Sequence, residues 1–147
     1  MTSLADTGLL IAFLNSTDRH HRWATGIIER QRKLNAPIVV PEVVAGEAFT
    51  KLRYDRRVSG RRDARPALAV FSLLATNPEV FDMRGMPGGS RLRVVELLAK
   101  YVDQNFSWVD AVVLLSAADD CGVQELWTVD SSLSAYRFSH HVAVSAP

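Results

Sequence analysis

Residues 107–130 read SWVDAVVLLSAADDCGVQELWTVD, and this stretch decides the fold class. Ser107 followed three residues later by Asp110 has the spacing of a capping box, so a helix is predicted to begin there. It runs to about Cys121 and is closed by Gly122, the residue type that most readily ends a helix. Gln124 to Val129 then reads as a strand, and Asp130 stands just beyond its end. A helix handed directly into a short apolar strand is the unit of an α/β domain.

Working outward, the amino terminus repeats the unit in the other order. Residues 2–5 read as a short buried strand, and a helix is predicted from about Thr7 to Asn15. Asp18 is placed as the N-cap of a second helix, in which Trp23, Ala24, Ile27, Ile28 and Leu34 keep approximate helical spacing. Pro37 introduces the β-branched run Ile38-Val39-Val40. Pro41 suits the first turn of a helix running to about Arg57. A further helix spans about Asp63 to Thr76 and is stopped by Asn77-Pro78. Glu79 to Met83 reads as a strand. Gly85, Pro87, Gly88 and Gly89 form a turn, with Ser90 as cap of the helix carrying Leu92, Val95, Ala99 and Val102. Val142 to Val144 is a last short strand. The alternation predicts one domain over residues 1–147, with a mostly parallel central sheet flanked by helices.

The bulk numbers agree with a globular domain and exclude little else. The chain has 147 residues, 48% hydrophobic and 22% charged, and a formal net charge of +1, so any recognition of polyanions has to come from local clustering. The single cysteine, Cys121, excludes an intramolecular disulfide and a multi-cysteine zinc site, and its apolar surroundings predict a buried, inert thiol. The amino-terminal apolar run lacks a basic leader and is far short of a membrane span, which makes a cytoplasmic location with no membrane partner the expectation.

Four acids carry the functional reading. In an open parallel sheet, ligands bind beyond the carboxyl ends of the strands, near a switch in strand order. Asp6 and Asp130 each follow a strand, so both are predicted on the same sheet edge. Asp110 in the first turn of its helix, and Glu47 in the second turn after Pro41, can point over that edge. Each has a plainer role available. Asp6 is a candidate helix cap, Asp110 a capping-box member, and Asp130 a turn residue. Glu47 is harder to explain that way, because its neighbours Val43, Val44, Ala48 and Phe49 predict a largely buried helix. Crowded carboxylates repel, so some are protonated or a cation neutralises them. A hard divalent ion with oxygen ligands answers that need, and the chemistry it implies is phosphodiester hydrolysis.

The pieces LADTGLLIAFLNSTDRHHRWA, VVPEVVAGEAFTKLR and DQNFSWVDAVVLLSAADDCGVQELWTVD resemble, in order and spacing, the PIN-domain family and within it the VapC-type ribonuclease toxins. The resemblance spans nearly the whole chain. It implies a three-layer PIN-like fold, Mg²⁺- or Mn²⁺-dependent cleavage of RNA, homodimerisation, and inhibition by a VapB-like antitoxin. By matching motif positions it makes Asp6, Glu47, Asp110 and Asp130 the catalytic and metal-holding quartet, with Thr7, Ser107 and Thr128 supporting them. Many members place a basic residue and then an aromatic after the last acid. This chain has Ser131-Ser132-Leu133 there, which leaves substrate selection open. Two other readings stand beside the toxin: a PIN-type nuclease acting in RNA processing or on structured DNA, and a non-catalytic PIN module that binds RNA or protein.

Lys51, Arg53, Arg56, Arg57, Arg61, Arg62 and Arg65 make a basic segment after Glu47: an electrostatic track for RNA phosphates, a solvated helix face, or an interface for an acidic segment of a partner. His20-His21 and His140-His141 are expected at the surface. Asp103, Asp119 and Asp120 are expected to be structural or solvated, and Trp23, Trp108 and Trp127 to be packing residues.

Overall fold

The computed structural model describes residues 2–56, 63–86 and 88–147. Five short strands carry the architecture: β1 (Thr2–Ala5), β2 (Ile38–Pro41), β3 (Phe81–Arg84), β4 (Val123–Trp127) and β5 (Ala143–Ser145). They lie in the order β3-β2-β1-β4-β5, and every neighbouring pair is parallel. Parallel strands need crossover connections, and helices supply most of them. They are α1 (Thr7–Leu14), α2 (His21–Lys33), α3 (Glu42–Tyr54), α4 (Arg65–Thr76), α5 (Ser90–Lys100) and α6 (Trp108–Asp119). The result is an all-parallel α/β sheet flanked by helices.

The apolar pattern explains the burial. Strands β1 and β2 are buried along nearly their whole length, as expected for a parallel sheet covered on both faces. Helix α6 buries Ala111 through Leu115 and Ala117, packing against β1, β2 and β4. Helix α2 is the opposite case, burying only Ala24, Ile27, Ile28 and Gln31 at helical spacing.

Strand order places the site. The chain steps from β1 to β2 to β3 in one direction, then returns to lay β4 on the other side of β1. The switch in direction therefore falls between β1 and β4, where Ala5 is in register with Trp127. Beyond those two residues the chain enters different turns on the two sides, at the edge where open parallel sheets bind ligands in a crevice.

Several local expectations are corrected. Asp18 is not the N-cap of α2; its Oδ1 accepts from His20 N–H (2.8 Å) in a turn ahead of a helix that begins at His21. Pro41 closes β2 rather than lying inside α3, which ends at Tyr54. Ser90 is the buried first residue of α5, not its cap; Gly89 precedes it with φ +68°, a left-handed conformation suited to glycine. Helix α6 stops at Asp119 without a left-handed glycine, and Asp120 Oδ1 instead accepts from Gly122 N–H. Cys121 is exposed, because the chain turns outward between α6 and β4. Trp127 is buried and Trp23 partly so, whereas Trp108, the first residue of α6, is 43% exposed. Arg57, Arg61, Arg62 and Pro87 lie outside the described residues.

Candidate active site

Asp6 is the centre of the arrangement. It leaves β1 in extended conformation and caps α1, its Oδ1 accepting from Thr7 N–H at 2.6 Å. Its own N–H donates to Trp127 O (2.9 Å), so the last residues of β1 and β4 remain tied together at the edge. Oδ2 accepts from the Thr128 hydroxyl at 2.8 Å. Thr128 Oγ1 in turn accepts from Asp130 N–H at 2.9 Å. One buried hydroxyl thus joins the side chain of the first acid to the backbone of the last.

Burial makes this carboxyl unusual. Asp6 is only 6% exposed, and its pKa is pushed up to about 6 from an ordinary 3.8. Desolvation is the largest cause. The bonds from Thr128 and Thr7 pull the other way, and the charges of Asp110 and Glu47 raise it further.

The other acids are held by local partners. Ser107 Oγ accepts from Asp110 N–H (3.0 Å), and Asp110 Oδ2 accepts from Ser107 N–H (2.7 Å), a complete capping box. Glu47 is partly buried and pairs with Lys51 one turn along α3, at 2.6 Å. Asp130 is exposed, with Oδ1 accepting from Ser132 N–H (2.9 Å) to start the short 3-10 turn 131–135. The plainer roles foreseen for Asp6, Asp110 and Asp130 are thus all present: helix cap, capping-box member and turn residue. Among the described residues, no three of these or other His, Cys, Asp or Glu side chains converge as a ready-made cluster around one point.

Two supporting positions differ in kind. Leu133 is fully buried and anchors the turn after Asp130. Thr7 is buried, with its hydroxyl free of any hydrogen-bond partner. Gly8, absent from the sequence reading, has a defined role. A Cβ there would stand 2.2 Å from Val129 Cγ2, so only glycine lets α1 approach the segment between Thr128 and Asp130. The available signal was a glycine in the first turn of a helix, where it lowers helix stability.

The remaining features fall away from the site. His21 Nδ1 lies 2.8 Å from Ala12 O and His140 Nε2 3.2 Å from Val123 O, so both rings are partly buried and tied to backbone carbonyls. Arg93 holds Asp119, and Arg84 holds Asp82 and Asp120, which keeps Asp119 and Asp120 below the usual carboxylate range. Asp103 is exposed and accepts from Gln104. Of the basic segment, Lys51 pairs with Glu47, Arg53 lies over the Tyr54 ring at 5.6 Å, and Arg65 pairs with Asp63.

Residues 4–138 match the PIN domain, and the chain belongs to the PIN domain family. Solved structures are similar over nearly its full length. VapC20 of Mycobacterium tuberculosis, a toxin that cleaves the sarcin-ricin loop, is 22% identical with a TM-score of 0.72, covering 94% of this chain and 96% of that one. VapBC2 of Rickettsia felis, solved bound to a DNA fragment from their promoter, is 13% identical with a TM-score of 0.65, covering 99% and 98%. PAE2754 of Pyrobaculum aerophilum is 20% identical with a TM-score of 0.56, covering 97% and 89%. At these identities the likeness establishes the fold. No curated protein sequence matches the chain.

Proposed function

We propose that this protein is a metal-dependent endoribonuclease of the VapC toxin type, acting through Asp6, Glu47, Asp110 and Asp130. The observation that carries the reading is the buried Asp6 carboxyl, raised to about 6 within the field of two further acids at the switch point of the sheet. A cation beside it would favour the ionised carboxylate and offset the cost of its burial.

The donor chemistry fits a hard divalent ion. All four side chains offer carboxylate oxygens, which suit Mg²⁺ or Mn²⁺ and not a soft metal. Asp6, Asp110 and Asp130 would hold it chiefly, with Glu47 completing the set once it exchanges Lys51. Such an ion supplies charge neutralisation and polarisation of a phosphoryl oxygen.

The chain's own residues do the positioning. Thr128 and the Thr7 N–H hold both oxygens of Asp6, so its carboxylate presents one fixed face to the crevice. Ser107 orients Asp110 through the capping box. Glu47, partly buried on α3, would help orient the attacking water and take up its proton as the P–O3′ bond breaks, leaving a 5′-phosphate and a 3′-hydroxyl on the RNA. Lys51, Arg53, Arg56 and the arginines at 57, 61 and 62 would provide the track for the phosphate backbone.

Under this reading the whole chain is one PIN unit, its substrate is RNA, and it assembles as a homodimer with a VapB-like antitoxin. Two of the similar structures are a VapC toxin and a VapBC pair, which favours this assignment. Among the described residues no helix is long and apolar enough to cross a membrane. Purified protein incubated with RNA in Mg²⁺, in Mn²⁺ and in EDTA tests the proposal. Cleavage in the first two and none in EDTA is expected; cleavage that persists in EDTA, or RNA left intact in all three, overturns it. A small antitoxin-like reading frame beside the gene separates toxin from processing enzyme.

A further inference from the structure

A second concave site lies between α5, α6 and the chain after Asp130. Its volume is about 190 Å³, and its walls include Lys100, Tyr101, Leu115, Tyr136 and Arg137. The size suits one nucleobase with its sugar. The floor is apolar, since Leu97 and Leu115 are buried, while Lys100 and Arg137 are exposed cations on the rim.

The walls are continuous with the acid-bearing turns. On one side, Tyr101 packs on Phe106 (5.8 Å between ring centroids), and Phe106 immediately precedes the Ser107–Asp110 capping box. On the other, Asp130 starts the turn 131–135, which delivers Tyr136 and Arg137. The two walls meet where the Tyr101 and Tyr136 rings pack at 5.3 Å, tilted by 40°, and where Arg137 N–H donates to the Tyr101 hydroxyl at 3.2 Å. Both walls of the cleft are thus short chain continuations of the segments that carry Asp110 and Asp130.

Its charge fits a polyanion. Among the described residues, neither Lys100 nor Arg137 has an acidic side-chain partner; Lys100 Nζ lies 5.6 Å from the centroid of the Tyr101 ring. Arg93 also lines the cleft but is held by both oxygens of Asp119, so it is not available. Glu96 is an acid on the wall. Residues 131 and 132, directly after the last acid, are uncharged serines, and the first cation downstream is Arg137.

We infer that this cleft is a nucleotide subsite of the ribonuclease. Lys100 and Arg137 hold phosphates of single-stranded RNA flanking the cut bond, and the Tyr101–Tyr136 pair offers a ring face to a base. Tyrosine faces with adjacent cations are the chemistry that single-stranded RNA selects, because every base has a π-face and every linkage a charge. The inference rests on the endoribonuclease reading above.

The test uses the full chain with Lys100→Gln and Arg137→Gln combined, and a control with Arg32→Gln and Lys33→Gln, equally exposed on α2. Binding of a fluorescein-labelled, single-stranded oligoribonucleotide is measured by anisotropy in EDTA, at several salt concentrations. The cleft variant is expected to lose about tenfold in affinity and to lower the salt slope by roughly 1.4, two phosphate contacts on a single strand. In Mg²⁺ its KM rises correspondingly while kcat is retained. The control pair keeps wild-type affinity.

Wild-type affinity and slope in the cleft variant overturn the subsite while leaving the nuclease reading intact. An equal loss in the control pair, which marks a bulk charge effect, does the same. Unchanged RNA binding with weakened capture of a co-expressed antitoxin assigns the cleft to a protein partner and also overturns it. A wild-type protein that neither binds nor cuts RNA overturns both proposals.

Discussion

The Thr128 hydroxyl donates to Asp6 Oδ2 at 2.8 Å, joining residues 122 positions apart across the seam between β1 and β4. Thr128 Oγ1 also accepts the N–H of Asp130 at 2.9 Å. Removing it affects both acids at once. Thr128→Val is expected to destabilise the protein by about 1–3 kcal/mol, the cost of leaving buried polar groups unpartnered. It should lower kcat by at least about tenfold through misplacement of Asp6 and Asp130. Thr128→Ser keeps the hydroxyl and should restore most of both losses. Denaturant titration and steady-state kinetics on the two variants check this pair of outcomes.

Asp6 sets a pH dependence of unusual sign. Folding raises its pKa from 3.8 to about 6, so between those values the folded chain keeps a proton that the unfolded chain has lost. The stability this contributes is fully present below 3.8 and disappears as pH rises through about 6. At about 1.36 kcal/mol per pH unit, ionised Asp6 costs the metal-free fold roughly 3 kcal/mol at pH 7. Asp6→Asn is therefore expected to be more stable than wild type in EDTA at pH 7, and equal to it near pH 4. Urea melts across that range measure the difference, and a gap that stays constant with pH would refute the assignment.

How much of this was readable beforehand follows from which interactions are local. Strand–helix alternation and the Ser107–Asp110 cap depend on residues near one another in the chain, and the sequence predicted both. Errors came where a local pattern had a competing neighbour. Asp18 resembles a cap, but the turn it forms lies ahead of the helix start. Cys121 sits in an apolar run yet falls on an outward turn. The Thr128–Asp6 bond and the Gly8–Val129 contact are long-range, and no spacing in the sequence encodes them.

Gly8 offers a packing prediction. A methyl group at this position would meet Val129 Cγ2 at 2.2 Å, so Gly8→Ala has to push aside the Val129 side chain next to Asp130. Overpacking of this kind costs about 1–3 kcal/mol. Adding Val129→Ala removes the obstructing methyls and should recover stability and activity together. A double-mutant cycle with no coupling between the two positions would contradict the contact.

Lys51 competes for Glu47. The pair at 2.6 Å is largely solvent-exposed on the lysine side, so Lys51→Met should change stability by less than about 1 kcal/mol. Divalent-ion binding, followed by calorimetry, is expected to tighten several-fold because Glu47 no longer has an internal counter-ion. Weaker ion binding in the variant would place Glu47 outside the ion's ligand set.

The carboxylate centre itself is tested most directly by single-turnover cleavage of RNA in Mg²⁺ by wild type and Asp6→Asn, with folding verified by circular dichroism. The predicted result is loss of detectable cleavage in a variant that is folded and at least as stable as wild type. Wild-type cleavage rates in Asp6→Asn would contradict the account.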